Sequence, residues 1–527
     1  MTGGTVISRL TGIVRLAVIA ATLGVAESRI ADTYNLANTA PNVIYELVLG
    51  GIVSSAFIPM FVELLQEEDR DRAWQVMSGI LNLSLLILSG IAIIGMIGAP
   101  WIARFYASRL PDSLEQSQQE AITFLLRLFI PQIVLYGLYF IVSGILTAHR
   151  RFGPPMYTPI INNLVVIAAF VIFGALYGVV TLETVTTTQL LLMGLGTTLS
   201  VAPMGLALLP YLRRLGRYRL TLKVKHPAAK KMARLSVFVV GSVAANQVAY
   251  IFIQWLANGQ RGGFTAYISA STFFLMPIGL FVWSLNTALM PSLSEYALRA
   301  QWPEYRDRLS IGLRATAFLM LPSAVGYLVL GEPIVRLLLQ HGIMTASSTE
   351  LVAGVLQFMV LGLLQFSIFQ LLTRAFYALQ DTKTPFLVNC AVVALNTAIN
   401  VPMFAWLEVR GLAAGQAIAY SFGVFILARL LASRVGAFEA GQIRSSIGRI
   451  AAAAGGMGLL VWACYRAIVA LWPGGGIVIE MLTVGVPVAA GVAFYFVLGS
   501  VFRVEELDYV RSLLGRRLAS APGAPPQ

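Results

Sequence analysis

Apolar runs recur along the whole chain, each close to the roughly 20 residues a helix needs to cross a bilayer, with short polar stretches between them. Fourteen such runs are centred near residues 15, 50, 87, 134, 168, 200, 244, 278, 319, 364, 395, 422, 458 and 488. The first is short and carries Arg9 and Arg15, and the eighth is interrupted by Pro277 and Gly279. The pattern predicts an all-α polytopic membrane protein with fourteen transmembrane helices and no separate soluble domain. The closing ASAPGAPPQ reads as disordered.

Composition agrees with that reading. Of the 527 residues, 57% are hydrophobic and 12% charged, about half the charged share of a soluble domain. Arginines inside the first run, with no small-residue cleavage site after it, make it a membrane helix rather than a signal peptide. Lys and Arg distribute unevenly: 25 of the 37 fall in the loops after even-numbered runs and in the tail, 7 in the odd loops. The positive-inside rule then puts both termini in the cytoplasm.

The chain also repeats. SSAFIPMF and NTALMPSL, IGAPWIARF and LGEPIVRLL, and GILTAHRRFGPP and RAFYALQDTKTP recur 230 to 233 residues apart, judged by their prolines. Each pair follows equivalent runs, which argues for duplication of a six-helix unit in parallel orientation. The expected division is an N-lobe over 1–215, a basic linker over 216–230 and a C-lobe over 231–440. Two extra helices over 441–502 and a tail over 503–527 follow.

A charge at membrane depth costs a few kcal/mol unless it meets a water-filled cavity or a partner. Arg9 and Arg15 lie about 9 Å apart along a helix, and both reach one wide cavity or Arg9 snorkels to the edge. In the second run Asn35, Asn38, Asn42 and then Tyr45 or Glu46 share one helical face. Asn246, Tyr250 and Gln254, with Gln247 beside them, form a comparable stripe in the seventh. Two stripes at equivalent places suggest a central chamber rather than inter-helix glue alone. Asp32 caps its own helix or pairs with an arginine. Pro41, Pro277 and Gly50-Gly51 are packing kinks or hinges. Cys390, Cys464 and the three histidines have no metal-ligand spacing, and neither a nucleophile–base pair nor a phosphate-binding loop occurs. The expected protein is no enzyme and uses no cofactor.

The opening stretch resembles the MurJ/MviN family of lipid II flippases, in the multidrug/oligosaccharidyl-lipid/polysaccharide exporter superfamily. The matching residues are Ser8-Arg9, Gly12, Arg15, Asp32, Tyr34, Ala37, Pro41-Asn42, Gly51 and Ala56 to Pro59. Arg374 to Ala378 with Gln380 to Pro385, and Met290 to Ser294, match as well. The resemblance implies two six-helix lobes around a cationic cavity and two further helices forming a groove for the lipid tail. The implied cargo is lipid II, an undecaprenyl-pyrophosphate-linked disaccharide-pentapeptide, moved across the cytoplasmic membrane by alternating access. It implies substrate contacts from Arg9, Arg15 and Asp32, beside the polar stripes and Thr272. Tyr45-Glu46 stands where many members carry a basic pair, and Ser271-Thr272 where they carry Asp-Arg. The acidic residue of the sodium site proposed for some members has no counterpart in the seventh run. Ion or membrane-potential coupling is not legible. A related exporter of drugs or polysaccharide-linked lipids is the alternative.

Overall fold

The computed structural model describes residues 2–46, 70–213, 215–216, 218–222, 227–438, 440–473 and 476–507. These residues are mostly helical, with no strand among them. The helices are α1 (Thr2–Leu23), α2 (Ile30–Tyr45), α3 (Arg70–Ala107), α4 (Asp112–Phe129), α5 (Gln132–Ala148), α6 (Gly153–Tyr177), α7 (Thr187–Leu206) and α8 (Leu209–Arg213). There follow α9 (Pro227–Ala257), α10 (Gly263–Pro277), α11 (Trp283–Leu298), α12 (Trp302–Leu339), α13 (Ala346–Val360), α14 (Leu363–Ala378), α15 (Lys383–Val435), α16 (Ala440–Leu471) and α17 (Ile477–Val501).

Ten helical spans among the described residues are long and apolar enough to cross a membrane, or eleven if the bent pair α13–α14 counts as one. The chain is therefore a multi-pass membrane protein. The expected count of fourteen is not reached, and neither α1 nor α2 is among these spans. As described, α2 has 16 residues, fewer than a span needs. In addition, α15 is two arms in one element, broken at Glu408 (φ 53°, ψ −138°). Gly50-Gly51 and the Ala56 to Pro59 motif lie outside the described residues.

One compact unit comprises Met1–Ser269 with Leu338–Thr349 and Asn400–Val409. Here α1 packs on α6, α6 on α7, and α2 on α4. Tyr34 of α2 is fully buried between the edges of Phe129 and Phe170, with centroids 5.7 and 5.2 Å away. Part of the expected linker is strapped along α3. The Asn82 amide donates to the Arg219 and Thr221 carbonyls (3.2 and 2.9 Å), and Arg219 pairs with Asp71 at 2.9 Å. Helix α9 starts at Pro227, within the stretch expected to be linker.

The other unit comprises Ala270–Leu337, Glu350–Ile399 and Arg410–Gln527. Its cores join α11, α12, α14 and α15 through Leu289, Tyr305, Phe376 and Leu427. The α16–α17 pair packs on α12 through Phe318, Ile450, Met457 and Tyr495.

Three helical prolines are absorbed in the same way. A helical proline leaves the carbonyl four residues earlier without its donor. Pro159 orphans the Pro155 carbonyl, and the Tyr139 hydroxyl donates to it at 2.9 Å. Pro277 orphans Phe273, served by Tyr327 at 3.1 Å; Pro322 orphans Phe318, served by Tyr495 at 2.8 Å. The interruption expected at Pro277-Gly279 is a π-helical turn over Ile278–Val282, which widens the helix without ending it. Pro41 lies inside α2, which continues to Tyr45.

Four helix ends share a second device. Arg150, Ala300, Gln380 and Arg503 follow α5, α11, α14 and α17 in the left-handed region, with φ of 52–58°. In each case the next N–H reaches back five residues, as Arg151 does to the Leu146 carbonyl (2.8 Å) and Asp381 to Phe376 (3.0 Å). Arg150 and Gln380 stand 230 residues apart, at the spacing of the sequence repeat.

Candidate functional site

The two expected cations sit on α1, both half-buried. Arg15 Nη1 donates to Asn162 Oδ1 at 3.3 Å. From there a polar chain runs inward: Asn162 Nδ2 to Ser200 Oγ (3.0 Å), and Ser200 Oγ to the Thr197 carbonyl (2.6 Å). The Thr197 hydroxyl meets the Tyr34 hydroxyl at 2.8 Å. Asn163 grips α1 on either side of Arg9, donating to the Ser8 carbonyl (3.2 Å) and the Thr11 hydroxyl (3.0 Å). The adjacent asparagines of α6 thus fix both the helix and the guanidinium. A guanidinium carries five N–H donors, and this is the one hydrogen bond Arg15 makes among the described residues. The rest of the fork is available to an anion.

Asp32 is placed differently from the expectation that it caps its own helix. It is fully buried and caps α10 instead. Oδ2 accepts from Gly262 N at 2.7 Å; Oδ1 accepts from Thr265 N at 2.9 Å and from the Thr265 hydroxyl at 2.7 Å. The cause is an orphaned first turn: α10 begins with N–H groups that need acceptors, and a carboxylate suits that end of the helix dipole. Asn35 joins the same group, its amide donating to Thr265 Oγ1 at 3.1 Å. Gly262 has φ +73°, and a Cβ there would lie 2.7 Å from the Val25 carbonyl. The glycine lets the two turns touch.

Asn35, Asn38 and Asn42 are the half-buried positions of α2 between Asp32 and Val43, where every other residue is buried. The predicted stripe is therefore the helix's one polar edge. Asn42 donates to the Asn38 carbonyl at 3.2 Å. Glu46 is exposed at the end of α2, and the side chain of Tyr45 lies outside the described residues. On α9, Asn246 is exposed, Gln247 and Tyr250 are half-buried, and Gln254 is fully buried. All of these belong to the first unit. Thr272, half-buried on α10, belongs to the second.

Loops of the first unit are knitted together around Glu27. Its carboxylate accepts from Val25 N (2.6 Å), Thr345 N (2.7 Å), the Thr345 hydroxyl (2.6 Å) and the Ser348 hydroxyl (2.7 Å). Burial pushes this carboxyl up, but the hydrogen bonds from Thr345, Ser348 and Val25 outweigh it and hold the group below the ordinary glutamate range. Arg261 donates to the Glu27 carbonyl, and Arg29 to the Asn258 carbonyl at 2.9 Å. Gln260 holds the strained Glu408 turn from both sides, donating to Glu408 Oε2 (2.7 Å) and accepting from Val409 N (2.9 Å). Sequence reasoning passed over Asn162, Asn163, Glu27 and Gln260. For the asparagines the signal was present, because Asn162-Asn163 is a polar pair inside the apolar fifth run.

Among the described residues no group of three or more His, Cys, Asp or Glu is arranged to hold a metal ion. What the site offers is guanidinium and amide donors, suited to binding an anionic, polar headgroup.

The profile of the family described as "Lipid II flippase MurJ" matches residues 19–482. The lipid II flippase MurJ of Burkholderia cenocepacia is 28% identical over 409 residues, covering 76% of each chain. The probable lipid II flippase MurJ of Vibrio cholerae is 26% identical over 446 residues, covering 81% of this chain and 80% of its own. A solved lipid II flippase MurJ in an inward closed conformation superposes with a TM-score of 0.75 at 21% identity, over 96% of this chain and 99% of its own. An inward-facing MATE-family multidrug resistance transporter superposes with a TM-score of 0.66 at 11% identity, over 81% of this chain and 94% of its own, so the fold reaches beyond one family. With a family match across most of its length, this chain belongs to the lipid II flippase MurJ family.

Proposed function

We infer that the chain is a lipid II flippase, carrying the lipid-linked peptidoglycan precursor from the inner to the outer leaflet of the cytoplasmic membrane. The observation that carries this reading to the residues is the fork of Arg15, anchored by one hydrogen bond to Asn162 with its other donors unspent. A pyrophosphate leaving water needs its hydration replaced by charge-assisted donors, each contributing about 1.5–3 kcal/mol. In this proposal Arg9 and Arg15 hold the pyrophosphate, and Asn35, Asn38, Asn42 and Glu46 face the headgroup. Asn246, Gln247 and Tyr250 of α9 and Thr272 of α10 contribute as well. Asp32 acts through α10, by fixing its start.

The proposal extends to fourteen spans in two parallel six-helix lobes, both termini in the cytoplasm, and an alternating-access cycle with no cofactor. The uneven distribution of Lys and Arg and the repeat near 230 residues support it. The family match favours this cargo over drugs or polysaccharide-linked lipids.

The test is lipid II translocation in cells, measured beside the amount of membrane-inserted protein. Arg15→Ala is expected to be severely impaired, and Arg15→Lys partly, because lysine keeps the charge and loses the planar fork. Arg9→Ala is expected to flip more slowly. Wild-type rates in both alanine variants at equal abundance would sink the assignment.

A further inference from the structure

A small cavity ringed by charged and polar residues lies at one end of the α16–α17 pair, far in sequence from the residues discussed above. It has a volume of about 110 Å³ and is lined by Arg314 of α12, Ser445, Ser446 and Arg449 of α16, and Arg503 and Glu505 just beyond α17. That is room enough for a phosphate group.

The walls brace one another. Arg314, with its side chain 11% exposed, pairs with Glu505 at 2.6 Å and with the buried Glu506 at 3.3 Å. Ser446 donates to Glu506 at 3.0 Å, and Arg449 donates to the Arg503 carbonyl at 3.3 Å. Both carboxylates touch Arg314, and three arginines against two glutamates leave the cluster with a net charge of about +1. Arg449 and Arg503 form no ion pair within 4 Å among the described residues. Arg503 also holds φ 52°, where glycine would sit without strain.

A second, independent feature says what the anion is attached to. From the cavity one face of α16 runs outward through Ser445, Gly448, Arg449, Ala452, Gly455, Leu459 and Trp462, every one exposed. A Cβ at Gly448 or Gly455 would meet nothing within 4 Å. The strip is smooth, apolar and about 20 Å long from Arg449 to Trp462, longer than the roughly 15 Å of one leaflet's hydrocarbon. Basic pockets beside membrane helices are the usual seats of anionic headgroups. We propose that this cavity binds the phosphate of an anionic membrane phospholipid, held by Arg449 and Arg503, with an acyl chain lying along the small-residue face of α16.

The experiment is native mass spectrometry of the full-length protein from mixed micelles of phosphatidylglycerol and phosphatidylcholine. Phosphatidylglycerol is expected to be retained in preference, and added inorganic phosphate is expected not to displace it. Arg449→Gln combined with Arg503→Gly should weaken retention roughly thirtyfold. Arg503→Gly relieves the left-handed strain, so the variant is expected to melt no lower than wild type. Arg444→Gln, on the same helix and outside the cavity, should leave retention unchanged. The proposal is overturned by equal retention of phosphatidylcholine, or by undiminished retention in the double variant. It is equally overturned by an Arg444→Gln loss as large as that of the double variant, which would mean diffuse attraction, or by displacement with inorganic phosphate, which would make the ligand a free anion.

Discussion

Asp32→Ala removes the acceptor for three donors at the start of α10. The Thr265 hydroxyl can turn to another acceptor. The Gly262 and Thr265 N–H groups cannot, and each unmet buried donor costs about 1–3 kcal/mol. Loss of the buried carboxylate returns part of that, since its desolvation opposed folding. The net is about 2–4 kcal/mol. Asp32→Asn should cost less, about 1–3 kcal/mol. Its amide oxygen still serves Thr265, while its NH₂ confronts the Gly262 N–H, donor against donor. The assay is hydrogen–deuterium exchange on the purified protein, following peptides that cover 258–268. At about 1.4 kcal/mol per factor of ten, Asp32→Ala should speed exchange there roughly thirtyfold or more, and Asp32→Asn by less. Peptides from α16 should not change. Exchange within about twofold of wild type in both variants would show that the cap does not hold α10, and the geometric reading of Asp32 would fail.

Asn162→Ala should lower lipid II translocation by less than Arg15→Ala at equal protein abundance, because it frees the guanidinium without removing it; equal losses would make Asn162 structural in its own right. Gly262→Ala should reduce the yield of folded protein, since it combines a left-handed φ with a Cβ 2.7 Å from the Val25 carbonyl; full yield in a membrane-insertion assay would contradict this. Glu27, whose folded pKa lies below the usual 4.5, contributes fully above that pH and loses its contribution as the pH falls through the lowered value. A spin label at Ser347 should therefore gain mobility on acidification from about pH 6 to about pH 3, and Glu27→Gln should abolish the step; a step of the same size in that variant would assign it to another group.

Period and charge were enough to read the helical class and membrane residence from the sequence, because a span must satisfy its own backbone and cover itself with apolar side chains. The polar edge Asn35–Asn38–Asn42 was legible for the same reason, as a helical face is a local property. Partners separated by long loops were not. Nothing local tells that Asp32 serves Thr265, or that Glu27 serves Thr345 and Ser348, since each pairing is set by how loops meet. Arg314 shows the same limit: nothing near it in the sequence points to its partners Glu505 and Glu506, about 190 residues on. The break at Glu408 was equally invisible, being imposed by Gln260 on a residue with no intrinsic preference for that conformation.

The tyrosines that serve proline-orphaned carbonyls tie helix shape to helix partnership. Tyr139 of α5 supplies a bond that α6 cannot make for itself; Tyr327 of α12 does so for α10, and Tyr495 of α17 for α12. Each weak joint is thus pinned from a neighbouring rod. Such a joint cannot flex alone: to bend further it must drag the neighbour along or abandon a carbonyl in a dry place. Motion at these prolines is geared, with α17 linked through α12 to α10 in a train of two pins. A force applied at the α16–α17 pair would arrive at α10 as a change of curvature, not as a loosening.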